Sequence, residues 1–213
     1  MLVEKNIKEF IQAIQSDDPT PGGGSVAATV GAMGGALTNM VGALTIDKKI
    51  YADVPEDQKK VMENNHKEIS QLVEELTAIV DEDSTAFDGV MKAFKMPKET
   101  DEDKKARSAA IQEGYKEALE VPLRCGEKCF KVLELQEVFA HHGNVNAITD
   151  VGVGTLLAYS GLEGALFNVT INLKSIKDEA YRKDMEERVS SLLAKGKEVK
   201  EELLKVVYDR LEA

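Results

Sequence analysis

An all-α fold, an elongated antiparallel helical bundle with central small-residue helices, is the fold class this sequence predicts. Three observations carry it. Apolar residues recur at helical spacing over long stretches, and no stretch alternates apolar and polar residues as a half-buried strand does. Turn-forming clusters are few, so the helices are long and must pack side by side. Two segments, 26–46 and 146–173, are nearly free of charge in a chain where 31% of residues are charged. These two belong in the centre, and the charged long helices at the periphery.

The elements follow in order. Val3, Ile7, Phe10, Ile11 and Ile14 share one helical face, which predicts an amphipathic helix over 2–16. Pro19, Pro21 and the glycines at 22–24 break it. A helix rich in Gly, Ala, Thr and Val follows over 26–46, with Ser25 placed to cap it. Gly31 and Gly35 lie one turn apart, so that face approaches another helix closely. Asp53 and Pro55 resemble a cap and first turn. Helical spacing then continues from Val61 through Ile79 and Phe87 to Phe94, one helix of about 60 Å at 1.5 Å per residue. Residues 98–105 form a polar connection, with Thr100 and Asp103 spaced as a capping pair. A second long helix runs to His142, with a kink expected at Pro122 and a C-terminal cap at Gly143. Residues 146–173 and 178–211 supply the last two helices. The expectation is a single domain over 1–213.

Composition narrows the function classes. A formal net charge of −11 argues against nucleic acid or an anionic membrane as partner, and an anionic ligand needs a local basic patch. Residues 1–17 carry acidic groups and helical periodicity, unlike a signal peptide. Two cysteines without such a signal point to a reducing, cytoplasmic location. Segment 26–46 is long enough to span a bilayer, but its glycines, Thr38 and Asn39 fit a buried helix of an oligomer better. Two nearly uncharged helices in one chain of this size predict a homodimer or a higher even oligomer.

Pro21-Gly22-Gly23-Gly24-Ser25-Val26-Ala27-Ala28 resembles the opening motif of the cyclodeaminase/cyclohydrolase family of folate enzymes. Three further segments resemble it in the same order: Ala93–Lys98, Gly143–Asp150 and Asn168–Asn172. The resemblance covers nearly the whole chain. It implies a tetrahydrofolate derivative as substrate, with no further cofactor and no metal. The implied reaction is the closure of 5-formiminotetrahydrofolate to 5,10-methenyltetrahydrofolate with loss of ammonia, a cyclodeaminase activity that belongs with histidine degradation. The alternative is a cyclohydrolase, in which water opens the methenyl bridge to 10-formyltetrahydrofolate. A separate formiminotransferase is a possible partner. A non-catalytic helical oligomer is the alternative of another class.

The candidate site residues follow from pattern and resemblance together. Asp83 lies four residues after Ile79 and four before Phe87, on the apolar face of its helix. A carboxylate there is desolvated or held by a partner. The resemblance favours a catalytic role, with Asp150 as the second catalytic candidate. Asn144 and Asn146 open the second apolar helix and can meet the donor and acceptor edge of a pterin, or simply cap the helix. Asn168 and Asn172 share a face with Asp150, but Asn168 stands about 27 Å from it along the axis. One copy of the helix therefore cannot bring both to one folate-sized site. Gly22, Gly23, Gly24 and Ser25 can meet the pterin edge or the substrate tail. Lys98 and Arg107 suit the carboxylates of a tail, or form a solvated turn. The enzyme reading requires Asp83, Asn144, Asn146 and Asp150 to line one pocket near Ser25. Glu63 and His66 match half of a di-iron motif with no second copy, and Cys125 and Cys129 read as core.

Overall fold

The computed structural model describes residues 1–212, and among these the chain forms eight α-helices and no strand. They are α1 (Ile7–Ile14), α2 (Gly23–Ala43), α3 (Glu56–Thr85), α4 (Asp88–Phe94), α5 (Asp101–Leu135), α6 (Glu137–His142), α7 (Ile148–Leu173) and α8 (Glu179–Leu211). The bundle has the expected arrangement. The weakly charged α2 and α7 run antiparallel through the middle, and α3, α5 and α8 pack around them.

Small residues allow the central pair to touch backbone to backbone. A Cβ added to Gly34 would lie 2.7 Å from the Gly154 carbonyl oxygen and 2.8 Å from the Ala158 nitrogen. A Cβ on Gly154 would lie 2.9 Å from the Gly34 carbonyl oxygen. One end further on, Gly161 meets the Ala27 carbonyl oxygen at 2.8 Å and the Gly31 Cα at 3.0 Å in the same sense. Gly31 and Gly35 are indeed close-contact positions, but what they admit is side chains of α5 and α3, namely Cys129, Val73 and Ile69. The glycines of α2 thus serve three neighbours at once. No glycine has a positive φ, so close approach and not backbone freedom is what calls for them.

The outer helices grip this pair with large apolar groups. Leu76, Ile69, Leu119, Leu123, Leu133 and Phe139 are fully buried. Each such side chain contributes about 1.5–3 kcal/mol by leaving water. The α3–α5 seam is edged by ion pairs: Glu82 with Arg124, Glu75 with Lys128, and Glu68 with Lys131. These are half-exposed and add at most about 1 kcal/mol apiece. They run in opposite order along the two helices and so record their antiparallel register.

Four boundaries differ from the sequence-based expectation. α2 begins at Gly23 and not at 26, so Ser25 lies inside the helix and does not cap it. The N-terminal helix is divided: residues 2–4 form a 3₁₀ turn, and Asn6 opens α1 by accepting from the Glu9 N–H. The long helix expected to reach Phe94 stops at Thr85. There the Ser84 and Thr85 hydroxyls donate to the Asp81 and Glu82 carbonyls, competing with the helical ladder. The chain restarts as α4 at Asp88 and continues along α5. Pro122 lies inside a continuous α5, and the break falls at Gln136 instead. The Gln136 amide is fully buried, donates to Thr38 Oγ1 at 2.6 Å and accepts from Thr155 Oγ1 at 3.0 Å. The expected caps at Thr100, Asp103 and Gly143 are present, and Pro55 precedes α3.

One broad face of the central pair is left uncovered. Met33, Met40 and Leu44 of the α2 side, and Val153, Leu156, Phe167 and Ile171 of α7, are 40–66% exposed. α1 buries no residue fully, and beside it an apolar groove of about 480 Å³ opens between α1, α2 and α3.

Gly34→Ala is expected to cost about 1–3 kcal/mol, because its methyl meets backbone that cannot rotate away. Gly89→Ala, where the new Cβ meets only the Glu117 side chain at 3.7 Å, is expected to be neutral or stabilising by up to about 1 kcal/mol. Urea midpoints of the two variants measure the difference.

Candidate functional site

The site is assembled where the N-terminus of α2 meets the last turn of α3. The first turn of α2 is Gly23-Gly24-Ser25 behind Gly22, whose missing side chain leaves the helix without a cap of its own. Its free N–H groups therefore need an acceptor from elsewhere. Asp83 is that acceptor. It continues the buried stripe of Ile69, Leu72, Leu76 and Ile79, one turn beyond Ile79, at the end of α3. Ser25 Oγ donates to Asp83 Oδ2 at 3.0 Å, and the Ser25 backbone N–H also donates to this carboxylate. A Cβ on Gly24 would overlap the Asp83 carboxylate outright. Only glycine lets the carboxylate lie against the helix tip.

Electrostatics at this point pull in two directions. Burial raises the Asp83 pKa above the ordinary carboxylate range, and the two Ser25 hydrogen bonds pull it back. The positive end of the α2 dipole favours the ionised form in the same way. The result is a half-buried carboxylate with a raised affinity for protons.

Asn168 of α7 completes the group. Its side chain lies beside Gly23, where an added Cβ would meet Nδ2 at 3.6 Å. Asn168 Nδ2 donates to the Gly164 carbonyl at 2.9 Å. Asn172 lies one turn on, half-buried at the same end. The α4–α5 hairpin extends from this end too, since α4 begins five residues after Asp83 and packs on α5 through Phe87–Tyr115 and Val90–Gly114. Lys98 is exposed at its tip. Arg107 donates to the Phe94 carbonyl and stacks over the Phe94 ring, closing the end of α4. No group of three or more His, Cys, Asp or Glu side chains is placed to hold a metal ion among the described residues.

A family model described as formiminotransferase-cyclodeaminase matches residues 6–191. The chain belongs to this family. A methenyltetrahydrofolate cyclohydrolase of Methylorubrum extorquens is 42% identical over 211 residues, covering 99% of this chain and 100% of that one. A formimidoyltransferase-cyclodeaminase of Sus scrofa is 36% identical, and there the match covers all of this chain and 38% of the longer protein. The crystal structure of formiminotetrahydrofolate cyclodeaminase from Thermotoga maritima superposes with a TM-score of 0.85 at 30% identity, over 99% of this chain and all of that one.

Within this cyclodeaminase-family chain the expected polar residues divide between two ends. Asp83, Ser25, Gly22–Gly24, Asn168 and Asn172 share one end, with Lys98 and Arg107 on the adjoining hairpin. Asn144, Asn146 and Asp150 lie at the other, about 30 Å away along α2. The expectation that Asp83, Asn144, Asn146 and Asp150 line one pocket is therefore corrected for the single subunit. The physical reason is the antiparallel pairing of α2 and α7, which sets the start of α7 against the end of α2. There Asn144 is spent on structure: Nδ2 donates to the Leu44 carbonyl, Oδ1 accepts from the Asn146 N–H, and its own N–H donates to Thr45 Oγ1. Asn146 is exposed, and Asp150 stands in the first turn of α7, complementing its dipole. The closeness of Gly23 and Asn168 was within reach of the sequence, because two uncharged central helices in antiparallel order must bring these ends together.

Gly24→Ala is expected to displace the Asp83 carboxylate and lower turnover about a hundredfold, while Gly23→Ala stays within about threefold of the parent. Steady-state rates of the two variants, with circular dichroism to establish that both are folded, make the comparison.

Proposed function

We propose that this protein is a folate one-carbon enzyme acting at the carbon between N5 and N10 of a tetrahydrofolate derivative, with cyclodeaminase chemistry. The observation that carries it is the half-buried Asp83 carboxylate held by Ser25 at the tip of α2, in a chain of the formiminotransferase-cyclodeaminase family. In the reaction, N10 of 5-formiminotetrahydrofolate attacks the formimino carbon. Asp83 accepts the N10 proton as the tetrahedral carbon forms and returns it to the departing amino group, which leaves as ammonia. The carbon–nitrogen bond to that group breaks, and the methenyl cation remains. An ionised Asp83 also stabilises the cationic amidine. Asn168 and Asn172 orient the pterin edge, and Lys98 and Arg107 receive tail carboxylates. A separate formiminotransferase supplies the formimino group, a reading supported by the name of the longer Sus scrofa relative, a formimidoyltransferase-cyclodeaminase.

The cyclohydrolase reading has a specific observation in its favour, the full-length match to the Methylorubrum protein. There water adds to the methenyl carbon and Asp83 takes one of its protons; Asp83 then gives that proton to N5 as the carbon–N5 bond breaks, and the remaining hydroxyl loses its proton to solvent to give 10-formyltetrahydrofolate. The same carboxylate serves both. Methenyl absorbance separates them. It rises, with ammonia released, when formiminotetrahydrofolate is supplied to a cyclodeaminase. It decays with enzyme when methenyltetrahydrofolate is supplied to a cyclohydrolase. Inactivity on both leaves the helical oligomer without catalysis.

Asp83→Asn is expected to lower turnover by at least about a hundredfold. Its stability should hold. A buried carboxylate with a raised folded pKa favours the folded state only while protonated, so the wild type loses stability as the pH rises through that pKa and the neutral Asn does not. The stability of Asp83→Asn relative to wild type should therefore increase from pH 4 to pH 7. Near-normal turnover with a lowered urea midpoint instead makes Asp83 a helix cap only.

The subunit is proposed to work as a homodimer. The uncovered apolar face of α2 and α7 supports it, as does the position of the site at the rim of that face, where Phe167 and Ile171 flank Asn168. Buried free thiols at Cys125 and Cys129 support a reducing cytoplasm. Leu156→Glu is expected to give a folded monomer in light scattering, where the parent scatters as a dimer; a monomeric parent at micromolar concentration contradicts the assignment.

A further inference from the structure

Ser25 belongs to the glycine-rich tip and, by its place there, competes for the role of substrate ligand. Its surroundings point elsewhere. The side chain is fully buried. A serine hydroxyl has a single proton to donate, and here it goes to Asp83 Oδ2 at 3.0 Å. Gly24 lacks the methyl that would push that carboxylate off the helix tip. The Ser25 carbonyl accepts from Thr29 Oγ1 at 2.8 Å, which ties this turn of α2 to the next. A substrate could gain the Ser25 proton only by taking it from Asp83, and it would have to reach a fully buried group.

We propose that Ser25 is a positioning residue, whose hydroxyl fixes the Asp83 carboxylate at the glycine-rich tip of α2, with Oδ2 on Ser25 and Oδ1 over Gly24, in the orientation from which it exchanges a proton with substrate. The proposal rests on the reading of Asp83 as the proton-transferring group. The hydrogen bond also favours the ionised carboxylate, so its loss raises the proton affinity of Asp83. Few other groups bear on that titration. Asp81 of α3 accepts from the Leu2 N–H, and Glu82 is paired with Arg124 of α5. The tip of α2 carries no charged side chain, and α7 presents the neutral Asn168. Burial and the Ser25 bonds account for the shift, with no charged neighbour among its causes.

Ser25→Ala, Ser25→Cys and Asp83→Asn test this in the intact enzyme, with whichever folate substrate the wild type turns over. For Ser25→Ala, kcat should fall roughly tenfold with KM within about twofold, and the pH–rate limb that reports Asp83 should move up by about one unit. The upward direction holds whether Asp83 acts first as base or as acid, because the removed bond favoured the ionised form. Ser25→Cys keeps a weak donor of similar size and should fall between Ser25→Ala and wild type; it carries the test alone if the alanine variant does not fold. A raised KM with kcat and the pH limb unmoved makes Ser25 a substrate ligand and overturns the proposal. Asp83→Asn is read separately. If it keeps near-normal turnover, the assignment of Asp83 fails and the role of Ser25 falls with it; if it is inactive while Ser25→Ala behaves as wild type, only the Ser25 proposal fails.

Discussion

The backbone-to-backbone crossing of α2 and α7 is the constraint on which the rest of the structure depends. At Gly34–Gly154 and at Gly161–Ala27 the helices meet with no side chain between them. Such a contact admits one register, because a shift of one residue would drive a Cβ into a carbonyl. The register then decides which residues meet at the ends. It sets Asn168 beside Gly23 at one end and Asn144 beside Leu44 and Thr45 at the other. Glycines and alanines bury little apolar area, so the crossing itself contributes little transfer free energy. Stability comes from the buried Leu, Ile, Val and Met side chains of α3, α5 and α8 that pack around the pair.

The same economy of space shapes the site. An N-terminus made of glycines has no side-chain cap, and its N–H groups attract an acceptor from a neighbouring helix. Asp83 meets that need, in the last turn of α3, where Ser84 and Thr85 end the helix. Burial there disfavours its charge; Ser25 and the α2 dipole favour it. A carboxylate balanced between these effects is both a structural cap and a group able to trade a proton. Fold and chemistry draw on one interaction, which is why the carboxylate lies at a helix end and not within the seam.

The far end shows how the bundle fastens itself without chemistry. Gln136 interrupts the α5–α6 helix so that its amide reaches Thr38 on α2 and Thr155 on α7, joining three elements through one buried polar node. Arg210 of α8 donates to the carbonyls of Ala140 and Gly143, closing α6. Asn144 caps the turn that leads into α7. Each of these polar groups has a backbone or side-chain partner, as burial requires. The uncovered face of α2 and α7 is the exception to this self-sufficiency, since its methionines, leucines and Phe167 face solvent in the single chain.

The sequence by itself determined the helical class, the central place of the two uncharged segments, the cap at Thr100, and the anomaly of Asp83 on an apolar face. These follow from period, charge and local hydrogen-bonding chemistry, which act over a turn or two of helix and leave their marks in short stretches of residues. The tertiary structure decided what each glycine was for. Gly24 yields to a carboxylate 59 residues away in the chain (24 to 83), and Gly34 to the backbone of a helix more than a hundred residues on. It also decided that Asn144, Asn146 and Asp150 stand apart from Asp83, and that Arg107 closes α4. A glycine reads the same in sequence whether it permits a turn, a helix crossing or a buried carboxylate, because what distinguishes them is the neighbour that fills the missing side chain's space. That neighbour is fixed only when the helices choose their register.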